Sequence, residues 1–176
     1  ESKGFKEFAI LNNTKPSSKV KISADITPIS CLQDQWATIG VSFFFDNRNF
    51  WHVALVRAPN ELKGEHHFEI KEMRDNVWLA NHQDGLKCEK TVYGKLWEFS
   101  KKYNLSVSTD GKSIEGEVRD ENGKLLFSER WIFPSPDLSG NGKAVRFGVP
   151  AIHIAGGFRG IVSSVKASVE GEVFTQ

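Results

Sequence analysis

The chain is poor in cysteine, in charge of one sign and in long hydrophobic runs, and each shortage removes a class of protein. Two cysteines, Cys31 and Cys88, stand among 176 residues, too few for a disulfide-built fold or a cysteine zinc site. Paired, they would close a long loop and add about 4 kcal/mol on the chain-entropy account. Unpaired, they are ordinary thiols, and the spacing leaves both readings open. Neither has a His or Asn placed to make it a nucleophile. The 23 basic residues face 22 acidic ones, for a net charge of +1. Charge therefore gives no reason to expect nucleic acid. No apolar run approaches the roughly 20 residues of a membrane-spanning helix, so no membrane span is expected.

Repeats, low-complexity stretches and linkers are also missing. With 39% hydrophobic residues, the chain reads as one domain over residues 1–176 with a single core. It opens at Glu1 rather than at a methionine, which points to removal of a signal peptide or of neighbouring domains. An extracellular or periplasmic location, and further domains of a larger polypeptide, are the matching expectations.

What the chain has is period-2 alternation, with no helical period sustained over three turns. "VKISADI" (20–26), "WATIGVSFFF" (36–45), "HFEIKEM" (67–73), "VWLA" (77–80) and "YNLSVS" (103–108) each alternate. "SIEGEVRD" (113–120) and "KLLFSERWIF" (124–133) flank an "ENG" turn and predict a hairpin. "AVRFGV" (144–149), "AIHI" (151–154) and "GIVSSVKASV" (160–169) follow. Turn residues separate these segments, as in "TDGK" (109–112) and "SGNGK" (139–143). Many short strands with turns every ten or so residues predict an all-β, two-sheet antiparallel sandwich.

One hairpin carries the functional argument. In "FFFDNRNFWHVALVRA" (43–58), Ile39, Val41, Phe43 and Phe45 are expected to face the core. A four-residue turn would expose Trp51, Val53 and Leu55, at roughly 1.5–3 kcal/mol each. A connection one residue longer buries them and turns His52 outward, opposite Phe44. Phe68 and Ile70 then join the core and leave His67, Glu69 and Lys71 on the outer face. Phe44, His52, His67, Glu69 and Lys71 would form one surface. An aromatic ring beside imidazoles, a carboxylate and an amine suits a sugar, whose apolar face stacks and whose hydroxyls hydrogen-bond. An ordinary solvated sheet face is the plainer reading of the same residues. Trp78 is the best exposed ring after Phe44, and Arg146 and His153 are possible contributors from a neighbouring strand. Trp36, Trp97 and Trp131 read as core or sheet-edge packing. Asp46, Asn47 and Asn49 offer oxygens to calcium but read more simply as a turn. No cofactor is expected.

Three stretches resemble the concanavalin A-like lectin/glucanase superfamily, the laminin G-type jelly roll. They are "VSFFFDNRNFWHVALVRA", "LWEFSKKYNLSVSTDGKSIEGEVRDENGKLLF" and "VRFGVPAIHIAGGFRGIVSSVKASV". The likeness spans about residues 20–170 and is a pattern of segments rather than a fingerprint. It implies two stacked antiparallel sheets and carbohydrate held on the concave sheet or at a rim of loops. Many such domains are carbohydrate-binding or accessory domains of bacterial polysaccharide-degrading proteins. Others are glycoside hydrolases or polysaccharide lyases, and that alternative stays open. The glucanase pattern of acids two residues apart is not matched: Glu69 and Glu72 have odd spacing and point oppositely, and Glu115 and Glu117 share a face but sit in a charged hairpin and read more simply as solvated. The lyase pattern is echoed by His67, Glu69 and Lys71 with both arginines replaced. A non-catalytic carbohydrate-binding domain is the expectation, with no catalytic residue assigned.

Overall fold

A computed structural model describes residues 6–11, 14–78, 96–133 and 144–175. In chain order the strands are β1 (Lys6–Ile10), β2 (Lys19–Cys31), β3 (Ala37–Asp46) and β4 (Asn49–Arg57). A 3-10 turn at Asn60–Leu62 leads to β5 (His66–Arg74) and β6 (Val77–Trp78). Then come β7 (Tyr103–Asp110), β8 (Ser113–Asp120), β9 (Leu125–Ile132), β10 (Val149–Ala155), β11 (Phe158–Val169) and β12 (Glu172–Thr175). They form two six-stranded sheets, ordered β1-β10-β3-β4-β5-β6 and β12-β11-β2-β7-β8-β9. The strand pairs are antiparallel. The expected all-β antiparallel sandwich is what forms.

Alternation explains the core. Ile22 and Ile26 of β2 meet Ile39, Val41 and Phe43 of β3 between the sheets, with Trp51, Val53 and Leu55 of β4. Phe68 and Ile70 of β5 complete the layer against Leu105, Val107 and Val118 of the second sheet. Trp51 also donates its indole N–H to the Val145 carbonyl at 3.1 Å, so the buried ring leaves no orphan donor.

The hairpin of β3 and β4 has the expected faces but a different pairing. His52 lies opposite Ser42, not Phe44, and Phe44 pairs with Phe50. The register shifts between Phe44 and Asp46, so Phe45 is bulged out and 54% exposed instead of facing the core. A bulge of this kind changes parity at the cost of one unpaired residue. The turn is closed by Asp46, whose carboxylate accepts from the Arg48 backbone N–H at 2.7 Å and from Asn49 Nδ2. Among the described residues no cluster of three or more His, Cys, Asp or Glu is placed to hold a metal ion.

Two other strand expectations change. Residues 144–147 are not a strand, whereas Val149–Ala155 runs unbroken through Pro150. Proline is tolerated there because its carbonyl still accepts the Leu11 N–H at 3.2 Å, and the Leu11 carbonyl that a donor at 150 would have met takes the Thr14 hydroxyl at 2.9 Å instead. Cys31 carries a free thiol, pushed up to about 11 by burial against the opposing pull of Arg57. Cys88, the expected strand residues Leu79 and Ala80, and residues 134–143 lie outside the described residues.

Candidate functional site

Strand pairing assembles the outer face of the first sheet in rows. Ser42, His52 and Lys71 form one row, Gly40, Ala54 and Glu69 the next, and Thr38, Val56 and His67 a third. His153 of β10 pairs with Gly40. The small residues Gly40, Ser42 and Ala54 leave depth in the middle of the face, and the imidazoles fill it. Gly40 is required here, because an added Cβ would overlap the backbone of Val53 and Ala54.

Trp78 reaches the face through a tight turn. Asp75 and Asn76 have φ of 49° and 67°, the left-handed pair that a two-residue hairpin needs. That turn pairs Trp78 with Met73 and brings its ring over His52, 4.9 Å between centroids. On the opposite side β1 supplies Lys6 and Phe8. Phe8 stacks on His153 at 4.8 Å and tilts over Phe44 at 4.5 Å. Between these walls lies a groove of about 450 Å³, lined by Lys6, Gln35, Trp36, Thr38, Glu69, Lys71 and Trp78 among others.

Under the groove runs a buried polar chain. His52 Nε2 lies 2.9 Å from Glu69 Oε1, and His52 Nδ1 lies 3.1 Å from His153 Nδ1. Lys71 Nζ meets Glu69 Oε2, and His67 Nε2 stands 3.7 Å from the same oxygen. Burial raises the Glu69 carboxyl, but the Lys71 ammonium, the hydrogen bond from His52 and the nearby His67 ring outweigh it. Glu69 is therefore held well below the usual carboxylate range. An ionised Glu69 only accepts, so His52 donates to it from Nε2. His153 itself is pushed well below its ordinary range, first by burial and then by His52, against the pull of Glu69. Its Nε2 and the Oγ of Ser42 are buried without a partner.

The structure brings His52, His67, Glu69, Lys71, Trp78 and His153 together. His52 and His153 lie beneath the groove, not in its lining, because Trp78 and Phe8 cover them. Phe44 is only 7% exposed; it packs with Phe8, Phe50 and Met73, so it offers no free ring to a ligand. Arg146 is elsewhere, with its guanidinium 5.1 Å over the ring of Phe133, a residue of the core between the sheets. Trp36, expected in core or sheet-edge packing, is 52% exposed and lines the groove. Its parity was legible, since Trp36 falls in step with Thr38, Gly40 and Ser42. Lys6 was missed because β1 was missed. Gly156, with φ of 69°, stands where a Cβ would overlap the Trp36 carbonyl, so it sets the backbone that presents the indole.

No protein-family model and no curated protein matches the sequence. Solved structures do. The chain is similar to carbohydrate binding module CBM66 from Bacillus subtilis, at 11% identity and a TM-score of 0.55, over 93% of this chain and 82% of that one. The fold is concanavalin A-like. The same fold likeness extends to Scytalido-glutamic peptidase, at 12% identity and a TM-score of 0.53, over 99% of this chain and 83% of that one. It extends as well to the enzymatically active domain of tailspike protein 2 of bacteriophage CBA120. There the identity is 10% and the TM-score 0.54, over 93% of this chain and 24% of that one. A module and two enzymes on one concanavalin A-like frame leave function to the site.

Proposed function

We propose that this chain is a carbohydrate-binding domain that holds an oligosaccharide or polysaccharide on the outer face of the β1-to-β6 sheet. One observation carries the reading: two partly exposed indoles, Trp36 and Trp78, flank a groove whose floor is the Glu69–Lys71 ion pair. Indole faces stack on the apolar face of a sugar ring, and a fixed carboxylate and ammonium hydrogen-bond its hydroxyls. Thr38 Oγ1, also in the lining, is buried without a partner and is a further group for a hydroxyl to meet. The fold likeness to a carbohydrate binding module supports the same reading.

Catalysis by a hydrolase or lyase of the same superfamily is the competing reading. Glycosidases of the usual kind use two carboxyl groups flanking the bond, and Glu69 is the one carboxylate among the described residues of the lining. A lyase needs a base that reaches the substrate proton, and His52 and His153 are covered by aromatic rings. Both points favour binding. An extracellular setting beside polysaccharide-degrading proteins is part of the proposal; no described helix is long and apolar enough to cross a membrane.

A glycan array tests the reading, with release of reducing ends and of unsaturated uronates measured on the same panel. Binding without release, weakened in Trp78→Ala, supports it. Turnover lost in Glu69→Gln would replace it with the enzymatic reading.

A further inference from the structure

A second hollow, of about 320 Å³, adjoins the groove and shares Trp36 with it. Its walls include Ala58, Glu61, Leu62, Lys63, Glu65 and His67. The sheet sets the two hollows end to end along the strands. On β5 the face runs from Lys71 through Glu69 to His67, paired through β4 with the run from Ser42 to Thr38 on β3. From Ser42 to Trp36 is six residues, about 20 Å of strand. Trp36 stands where one hollow passes into the next, edge-on to His67 at 5.8 Å.

Each hollow also carries a buried polar atom with no partner. In the first it is Thr38 Oγ1. In the second it is Nδ1 of His67, a ring only 5% exposed. One compact sugar in the first hollow would leave the second imidazole unmet.

We infer that the ligand is a linear glycan chain lying along the strands, with consecutive sugar residues in both hollows and Trp36 as the platform between them. This rests on the carbohydrate reading above. The chain crosses from the Trp78 and Lys71 end to the Leu62 and Lys63 end, and His67 Nδ1 takes a hydroxyl of a sugar other than the one at Thr38.

Calorimetric titration of the intact chain with mono- to hexasaccharides of β-glucan, xylan, fructan and polygalacturonate tests it. For the glycan that binds, affinity is expected to rise about tenfold or more from disaccharide to hexasaccharide. Trp36→Ala and Leu62→Ser should each remove most of that rise. Both side chains are about half exposed, so thermal melting should show folded variants. Equal affinity for mono- and hexasaccharide, or a rise that survives both substitutions, overturns the inference and leaves the binding function standing. No binding to any member of the panel at any length overturns both.

Discussion

Glu69 and Glu72, three residues apart on β5, point to opposite faces of one sheet. Glu69 meets His52 and Lys71 at the groove, while Glu72 accepts the Val145 backbone N–H at 2.6 Å between the sheets. Glu69→Gln removes the counter-charge of Lys71 and should cost about 2 kcal/mol of stability. That is less than the ~3–5 kcal/mol of a fully buried pair, because the Lys71 side chain keeps 23% exposure. Glycan affinity should fall about tenfold with it. Glu72→Ala leaves a buried N–H unpaired, costs about 1–3 kcal/mol, and should leave affinity unchanged. Urea titrations beside binding titrations separate the two, and a binding defect in Glu72→Ala at full folding would contradict the division of faces.

The aromatic residues divide in the same way. Trp78→Ala should weaken glycan binding about tenfold with a small loss of stability. Phe44→Ala should do the reverse, since it opens a hole under Phe8 and costs about 3 kcal/mol. Calorimetric melting of the two variants checks this, and a Phe44→Ala protein that melts like the parent but binds poorly would return Phe44 to the ligand surface.

Stability should decline in acid in two stages. His153 titrates below its ordinary value of 6.5 in the folded chain, so an unfolded chain takes up a proton that the folded one refuses. The contribution is full above about pH 6.5 and is lost as pH falls through the folded value. Glu69, held below its ordinary 4.5, adds a second loss with the same sign below about pH 4.5. Denaturation midpoints at about pH 8, 5.5 and 4 read both stages, and His153→Asn should abolish the first alone. An unchanged slope in that variant would assign the first stage to another group.

Gly156→Ala should perturb the groove without touching its lining side chains. A non-glycine residue at φ of 69° costs roughly 1–2 kcal/mol, and the overlap with the Trp36 carbonyl adds to it. Affinity for long glycans should drop with the melting temperature, whereas Gly123→Ala, in a turn where an added Cβ meets nothing, should leave affinity intact.

Parity was legible in the sequence, and interruptions of parity were not. The burial of Trp51, Val53 and Leu55, and the outward turn of His52, Glu69 and Lys71, follow from a two-residue period. The bulge at Phe45 and the register shift between Ser163 and Lys166 do not, since one inserted residue leaves no compositional mark. In β11 that shift, with Ser164 at φ of 51°, leaves Ile161 exposed and Ala167 buried, although the sequence alternation puts them on one face. The depth of the groove was equally hidden. It depends on β1, five residues long, an element too short and too weakly patterned to read, whereas β6 with Trp78 fell inside the expected "VWLA" strand.

β1 does more than supply Lys6 and Phe8. It is also the last strand of its sheet, laid along β10. Without it, the β10 backbone would present a row of free donors and acceptors, a template for pairing with another chain. Opening the groove and creating a self-association edge are thus the same structural event. Any cleavage that frees residues 6–10 would at once strip a wall from the groove and bare the β10 edge to cross-strand assembly.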